Sequence, residues 1–161
     1  MAISFSSSEI INLAIGIEQS GIAFYDVMAR STENALARDT FQYLADMERQ
    51  HVEIFQGMLS EADKWQPAET YTAEYAAYLQ ALVGSAVFSD DMVTSEMAAR
   101  AGSEIEAMEL AIVAEKDSIL FYYEMRDIVP RRAQSVISKV LSEEKAHLEQ
   151  LSALKKKLAA G

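Results

Sequence analysis

The sequence predicts an all-α fold, a four-helix bundle with a long connection between its second and third helices that carries a short extra helix. Three observations carry this reading. Only two prolines and six glycines interrupt the 161 residues. Apolar residues recur at spacings of three and four, the signature of amphipathic helices. The pattern of the first half also returns in the second. A chain of this length is expected to bury a single core, so residues 1–161 read as one domain.

The first helix is expected to begin at Ser6, whose hydroxyl can cap free backbone N–H groups while Glu9 reaches back in a capping box. Its inner face reads Ile11, Ile15, Glu18, Ile22 and Tyr25. A turn over residues 31–34 leads to a second helix with the stripe Phe41, Leu44, Glu48, His51, Phe55 and Met58. Trp65-Gln66-Pro67 is expected to end it, because proline cannot extend a helix and disfavours helical geometry before it. Residues 60–103 form the long connection, where Tyr75, Tyr78, Leu79, Leu82 and Val83 predict a shorter helix on the outside of the bundle. The third long helix follows Gly102, with Ser103 as cap and Glu106 completing a second capping box. Its inner face reads Met108, Ile112, Glu115, Ile119 and Tyr122. It should stop before Pro130, which fits an early position of the last helix, where a missing N–H costs nothing. That helix carries Ile137, Val140, Glu144, His147, Leu151, Leu154 and Leu158, and Lys155 to Lys157 place cations favourably at its end.

Composition excludes several classes of function. With no cysteine there are no disulfides, iron–sulfur clusters, cysteine-based zinc sites or thiol catalysis in these residues. A net charge of −11 disfavours nucleic acid and anionic membrane partners, which need clustered Lys and Arg. No apolar run approaches the roughly 20 residues of a membrane-spanning helix. Residues 1–8 show neither the basic start nor the apolar stretch of a secretory signal, so a cytoplasmic location is expected.

The first helix recurs in the third at an offset of 97 positions: Ala14/Ala111, Ile15/Ile112, Glu18/Glu115, Ile22/Ile119, Phe24/Phe121, Tyr25/Tyr122 and Met28/Met125. The second recurs in the fourth at an offset of 96, pairing Glu48 with Glu144, His51 with His147 and Glu53 with Glu149. Two copies of one helical hairpin, related by an approximate two-fold axis, would bring these residues to one level.

Both histidines of the chain have a glutamate three residues earlier, which makes the two side chains neighbours on one helix face. All four glutamates, Glu18, Glu48, Glu115 and Glu144, interrupt apolar stripes, where a lone ionised carboxylate is too costly to desolvate. Two divalent cations would balance four carboxylates, and each imidazole would complete one ion's set. A Glu from each of two helices and Glu-x-x-His from the other two is the ligand pattern of di-iron and di-manganese carboxylate bundles. Oxygen-rich ligation with one imidazole per ion suits iron or manganese better than copper and leaves zinc and cobalt open. Tyr25 and Tyr122, seven residues beyond Glu18 and Glu115 on the same faces, can aim hydroxyls at the site and orient its carboxylates; buried aromatic packing is the alternative for both.

The motifs Glu18-Gln-Ser-Gly-Ile-Ala-Phe-Tyr25, Glu48-Arg-Gln-His51, Glu115-Lys-Asp-Ser-Ile-Leu-Phe-Tyr122 and Glu144-Lys-Ala-His147 resemble the rubrerythrin-like branch of the ferritin-like superfamily. The resemblance implies a ferritin-like bundle holding two iron ions, with Glu48 and Glu144 bridging and Glu18 and Glu115 terminal. It also implies reduction of hydrogen peroxide, or oxygen, in defence against oxidative stress, and a homodimer. Two features depart from typical rubrerythrins. Ser118 stands where they carry a further carboxylate that exchanges with a histidine as the iron changes oxidation state. The four cysteines of a rubredoxin domain are absent, so an external electron donor is expected. Bacterioferritin shares the six-ligand set, which keeps an iron-oxidising storage protein in view. Its haem-binding methionine would fall at Arg49, however, and the step from His51 to Glu115 is longer than a ferritin-type crossover needs. A helical module with a structural metal site is a third reading.

Overall fold

The computed structural model describes residues 6–62, 73–84 and 103–161. Among these residues there are five helices and no strand: α1 (Ser7–Ser31), α2 (Ala35–Glu61), α3 (Ala73–Gly84), α4 (Glu104–Ile128) and α5 (Arg131–Ala160).

The helix ends follow local side-chain chemistry. Ser6 accepts from the Glu9 backbone N–H at 3.1 Å while Glu9 accepts from the Ser6 N–H at 2.8 Å, the reciprocal box that satisfies two orphan donors. Asn34 caps α2 through the N–H of Ala37, and Ser103 caps α4 through that of Glu106. Pro130 occupies the cap of α5 itself, one position ahead of the helix. Its fixed φ is compatible with the extended ψ of 151° found there. The second helix stops at Glu61 with Ala62 as its cap, before Trp65-Gln66-Pro67. Those three residues and Gly102 lie outside the described residues.

The α2 stripe is buried throughout, as are Ile137, Val140, Glu144, His147, Leu151 and Leu154 of α5. On α1 and α4 the buried arc is wider than the predicted stripes and takes in Ala14, Gly21, Phe24 and Met28 and, on α4, Ala111, Ala114, Phe121 and Met125. Ile22, Ile112 and Ile119 fall at its edge and are half-buried. Each of these helices packs on its hairpin partner and also on its counterpart across the bundle, so one narrow stripe is not enough. The short α3 lies against α4, burying Ala76 and Leu79 and exposing Tyr78.

Two apolar clusters fill the interior. One joins Ile11, Phe55, Met58, Phe121, Tyr122, Met125, Ile137 and Val140; the other joins Phe24, Tyr25, Met28, Phe41, Leu44, Met108, Leu151 and Leu154. The repeat exchanges them: Met28 in one answers Met125 in the other, Phe24 answers Phe121, and Met58 answers Leu154. The start of α1 therefore packs with the end of α4, and the end of α2 with the start of α5. Each helix runs antiparallel to both neighbours, and α2 and α4 run the same way. Joining those two ends requires a connection along the length of the bundle. The level between the clusters is where Glu18, Glu48, His51, Glu115, Glu144 and His147 sit.

Candidate metal centre

All six of these side chains are buried, none more than 3% exposed. They converge as two overlapping groups, Glu18, Glu48, His51 and Glu144 in one and Glu48, Glu115, Glu144 and His147 in the other. Within each group one potential ligand atom per residue lies within 4.8 Å of the rest. Glu48 and Glu144 belong to both, and the imidazole rings face each other with centroids 5.8 Å apart.

Around His51, Nδ1 lies 2.9 Å from Glu144 Oε1, 3.1 Å from Glu48 Oε2 and 3.6 Å from Glu18 Oε2. His147 Nδ1 is more loosely surrounded, 3.6 Å from Glu48 Oε1, 3.7 Å from Glu115 Oε1 and 3.9 Å from Glu144 Oε2. Among the described residues neither nitrogen of His147 has a hydrogen-bond partner, and neither does Glu115 Oε2. Buried polar atoms are ordinarily satisfied, and His147 Nδ1 stands among the Glu48, Glu115 and Glu144 carboxylates without one in hydrogen-bonding reach.

Two tyrosines close the layer. The Tyr25 hydroxyl donates to Glu115 Oε1 at 2.6 Å, and the Tyr122 hydroxyl donates to Glu18 Oε1. Each tyrosine holds the glutamate of the opposite hairpin, because its own helix has climbed two turns, roughly 10 Å, past its own glutamate.

The charges explain what the cluster asks for. Burial pushes the Glu48 and Glu144 carboxyls well above the usual carboxylate range, and the neighbouring glutamate charges push them further. Burial opposes charge on His51, but the carboxylates of Glu144, Glu18 and Glu48 outweigh it and raise its pKa; for His147 the Glu115 and Glu144 carboxylates do the same. Burial would also raise Glu115, yet its hydrogen bonds and the His147 charge bring it below the usual value. Burial and the facing carboxylates hold both tyrosines protonated well above the ordinary phenol range. The crowded carboxylates thus favour protons on both imidazoles and on Glu48 and Glu144. Divalent cations could take the place of such protons, and the donor set of oxygens and imidazole nitrogens fits them.

The rubrerythrin family model matches residues 9–155. The chain belongs to the rubrerythrin family. No curated protein matches it by sequence. A crystal structure from Thermotoga maritima, described as that of a ferritin-like diiron-carboxylate protein, is 33% identical and superposes with a TM-score of 0.70, covering 94% of this chain and 95% of that one. The rubrerythrin fold is thus the ferritin-like bundle, and its carboxylate–histidine cluster is one that could hold metal.

Within this rubrerythrin chain the hydroxyl of Ser118 donates to the Ala114 carbonyl at 3.0 Å, one helical turn back. Its repeat counterpart is Gly21, where a Cβ would lie 3.6 Å from Glu48 Cγ. One residue at the site escapes a search for ligand motifs: Glu143, whose Oε2 lies 2.8 Å from His51 Nε2. Its only sequence signal is a carboxylate immediately before the candidate ligand Glu144, on a position that also borders solvent.

Proposed function

We propose that this protein binds a dinuclear iron centre and reduces hydrogen peroxide with electrons from an external donor. Glu18, Glu48, His51, Glu115, Glu144 and His147 are the ligands in this reading. The observation that carries it is the sharing of Glu48 and Glu144 by two four-ligand groups, each with one imidazole and one unshared glutamate. Glu48 and Glu144 would be shared between the two ions, Glu18 and Glu115 would each serve one, and each His would offer Nδ1. When bound, two ferrous ions supply the two electrons that, with two protons, convert peroxide to two waters, and the donor returns them. Tyr25 and Tyr122, protonated at physiological pH, orient Glu115 and Glu18. The apolar clusters above and below keep bulk water from the layer.

In the same reading residues 1–161 form one ferritin-like domain, which works as a cytoplasmic homodimer. Among the described residues no helix is long and apolar enough to cross a membrane. The test is anaerobic reconstitution with ferrous iron. About two irons per chain, oxidised much faster by peroxide than by oxygen, is the expected result. Equal or slower reaction with peroxide sinks the peroxidase reading, elution at the size of a cage favours iron storage, and a redox-silent zinc centre favours a structural role.

A further inference from the structure

We propose that the two halves of this centre are inequivalent, and that Glu143 makes the half built on His51 the tighter metal site. The inference rests on the di-metal reading above. Glu143 stands on α5 directly before Glu144, so one helix supplies a shared ligand and also the group that holds the imidazole of α2. Its Oε2 accepts from His51 Nε2 at 2.8 Å, while its other oxygen lies 3.9 Å from Lys139 Nζ on the exposed side. A proton held at Nε2 leaves the Nδ1 lone pair for a cation, and Nδ1 already points at Glu144, Glu48 and Glu18. A carboxylate behind a metal-binding imidazole fixes its tautomer and orientation and raises its basicity.

His147 lacks this support. In the register of the repeat, the counterpart of Glu143 is Met47, whose thioether is only a weak acceptor. His147 Nε2 has no hydrogen-bond partner among the described residues, and its Nδ1 stands farther from its carboxylates than that of His51. The two half-sites therefore share ligand types and differ in how firmly the nitrogen ligand is held. Glu143 is a positioning residue, and the half-site it supports takes the first ion.

Anaerobic cobalt(II) titration of the metal-free full-length chain, read by calorimetry and visible absorption, tests this without any turnover. His147→Ala keeps the His51 half, and His51→Ala keeps the His147 half. The first should bind its ion at least about 10-fold tighter than the second, within the roughly 10- to 100-fold that such supporting carboxylates contribute. Adding Glu143→Leu should erase the difference, Glu143→Gln should retain part of it, and Met47→Glu should tighten the His51→Ala chain. Equal affinities, or a difference that survives Glu143→Leu, overturn the proposal and leave the di-metal reading standing. A wild-type chain that takes up no cobalt overturns both. If neither single-histidine chain binds, the two-histidine chain decides: Glu143→Leu must weaken the first, tighter step, and a change confined to the second step, equal in both or absent overturns the proposal.

Discussion

The hydroxyl of Tyr25 donates to Glu115 at 2.6 Å, joining two residues 90 positions apart that belong to opposite hairpins. Tyr122 and Glu18 make the reciprocal bond. The pair of contacts clips the hairpins together at the polar layer, where the apolar clusters cannot contribute. Tyr25→Phe keeps the ring contacts with Phe24 and Phe41 and removes only the donor. Leaving a buried carboxylate without that donor costs about 1–3 kcal/mol. Urea unfolding of the metal-free protein should show a loss of that size; an unchanged midpoint would mean that Glu115 finds another partner.

The sharing of Glu48 and Glu144 makes a sharper forecast. Either one replaced by alanine removes a ligand from both groups, whereas Glu18→Ala or Glu115→Ala removes one from a single group. Metal analysis of the reconstituted protein should find well under one ion per chain in the first two variants and about one in the second two. Equal loss in all four variants would contradict the bridging roles.

The convergence of these six residues is legible in the sequence. Each His carries a Glu one turn earlier, and the offsets of 97 and 96 put the six residues in matched positions, so convergence followed from the repeat. Which groups touch did not. Tyr25 shares a face with Glu18, but the rise of the helix carries it out of reach, and only the antiparallel packing of α4 brings Glu115 level with it. Glu143 was hidden for a related reason, since its partner lies on another helix and its spacing to any histidine on its own helix matches no ligand pattern. Ile22, Ile112 and Ile119 lie further outward than a single stripe predicts, because α1 and α4 each pack on two partners rather than one.

Acidity shifts set the pH response of the metal-free fold. Glu48 and Glu144 have folded pKa values above the ordinary 4.5, so the stability they contribute is complete below that value and is lost as pH rises through the raised ones. His51 and His147, raised from 6.5, act in the same direction from a higher starting pH, while the lowered Glu115 keeps its contribution above 4.5. Metal-free protein should therefore lose thermal stability as pH rises above about 4.5, and more steeply above about 6.5 where the histidines join. Bound cations take the place of the protons, so the Tm gap between loaded and metal-free protein should widen with pH, and loading should release protons. Scanning calorimetry across that range checks the first point, and titration in buffers of different ionisation enthalpy the second. A gap that stays constant would show that protons do not hold the cluster together.

Gly21 tests how closely the helices must approach at the layer. It sits inside α1 with ordinary helical φ, so the residue gains nothing from glycine's backbone freedom and loses the usual helix preference for alanine. An added Cβ would meet Glu48 Cγ at 3.6 Å, an ordinary van der Waals contact. Gly21→Ala should accordingly stabilise the metal-free protein by about 0.5–1 kcal/mol and leave metal content unchanged. Gly21→Leu has no such room and must push the shared carboxylate, so metal should be lost while the helices remain. If alanine alone expels metal, Glu48 tolerates no lateral contact at all, and the glycine at position 21 leaves that carboxylate free to shift.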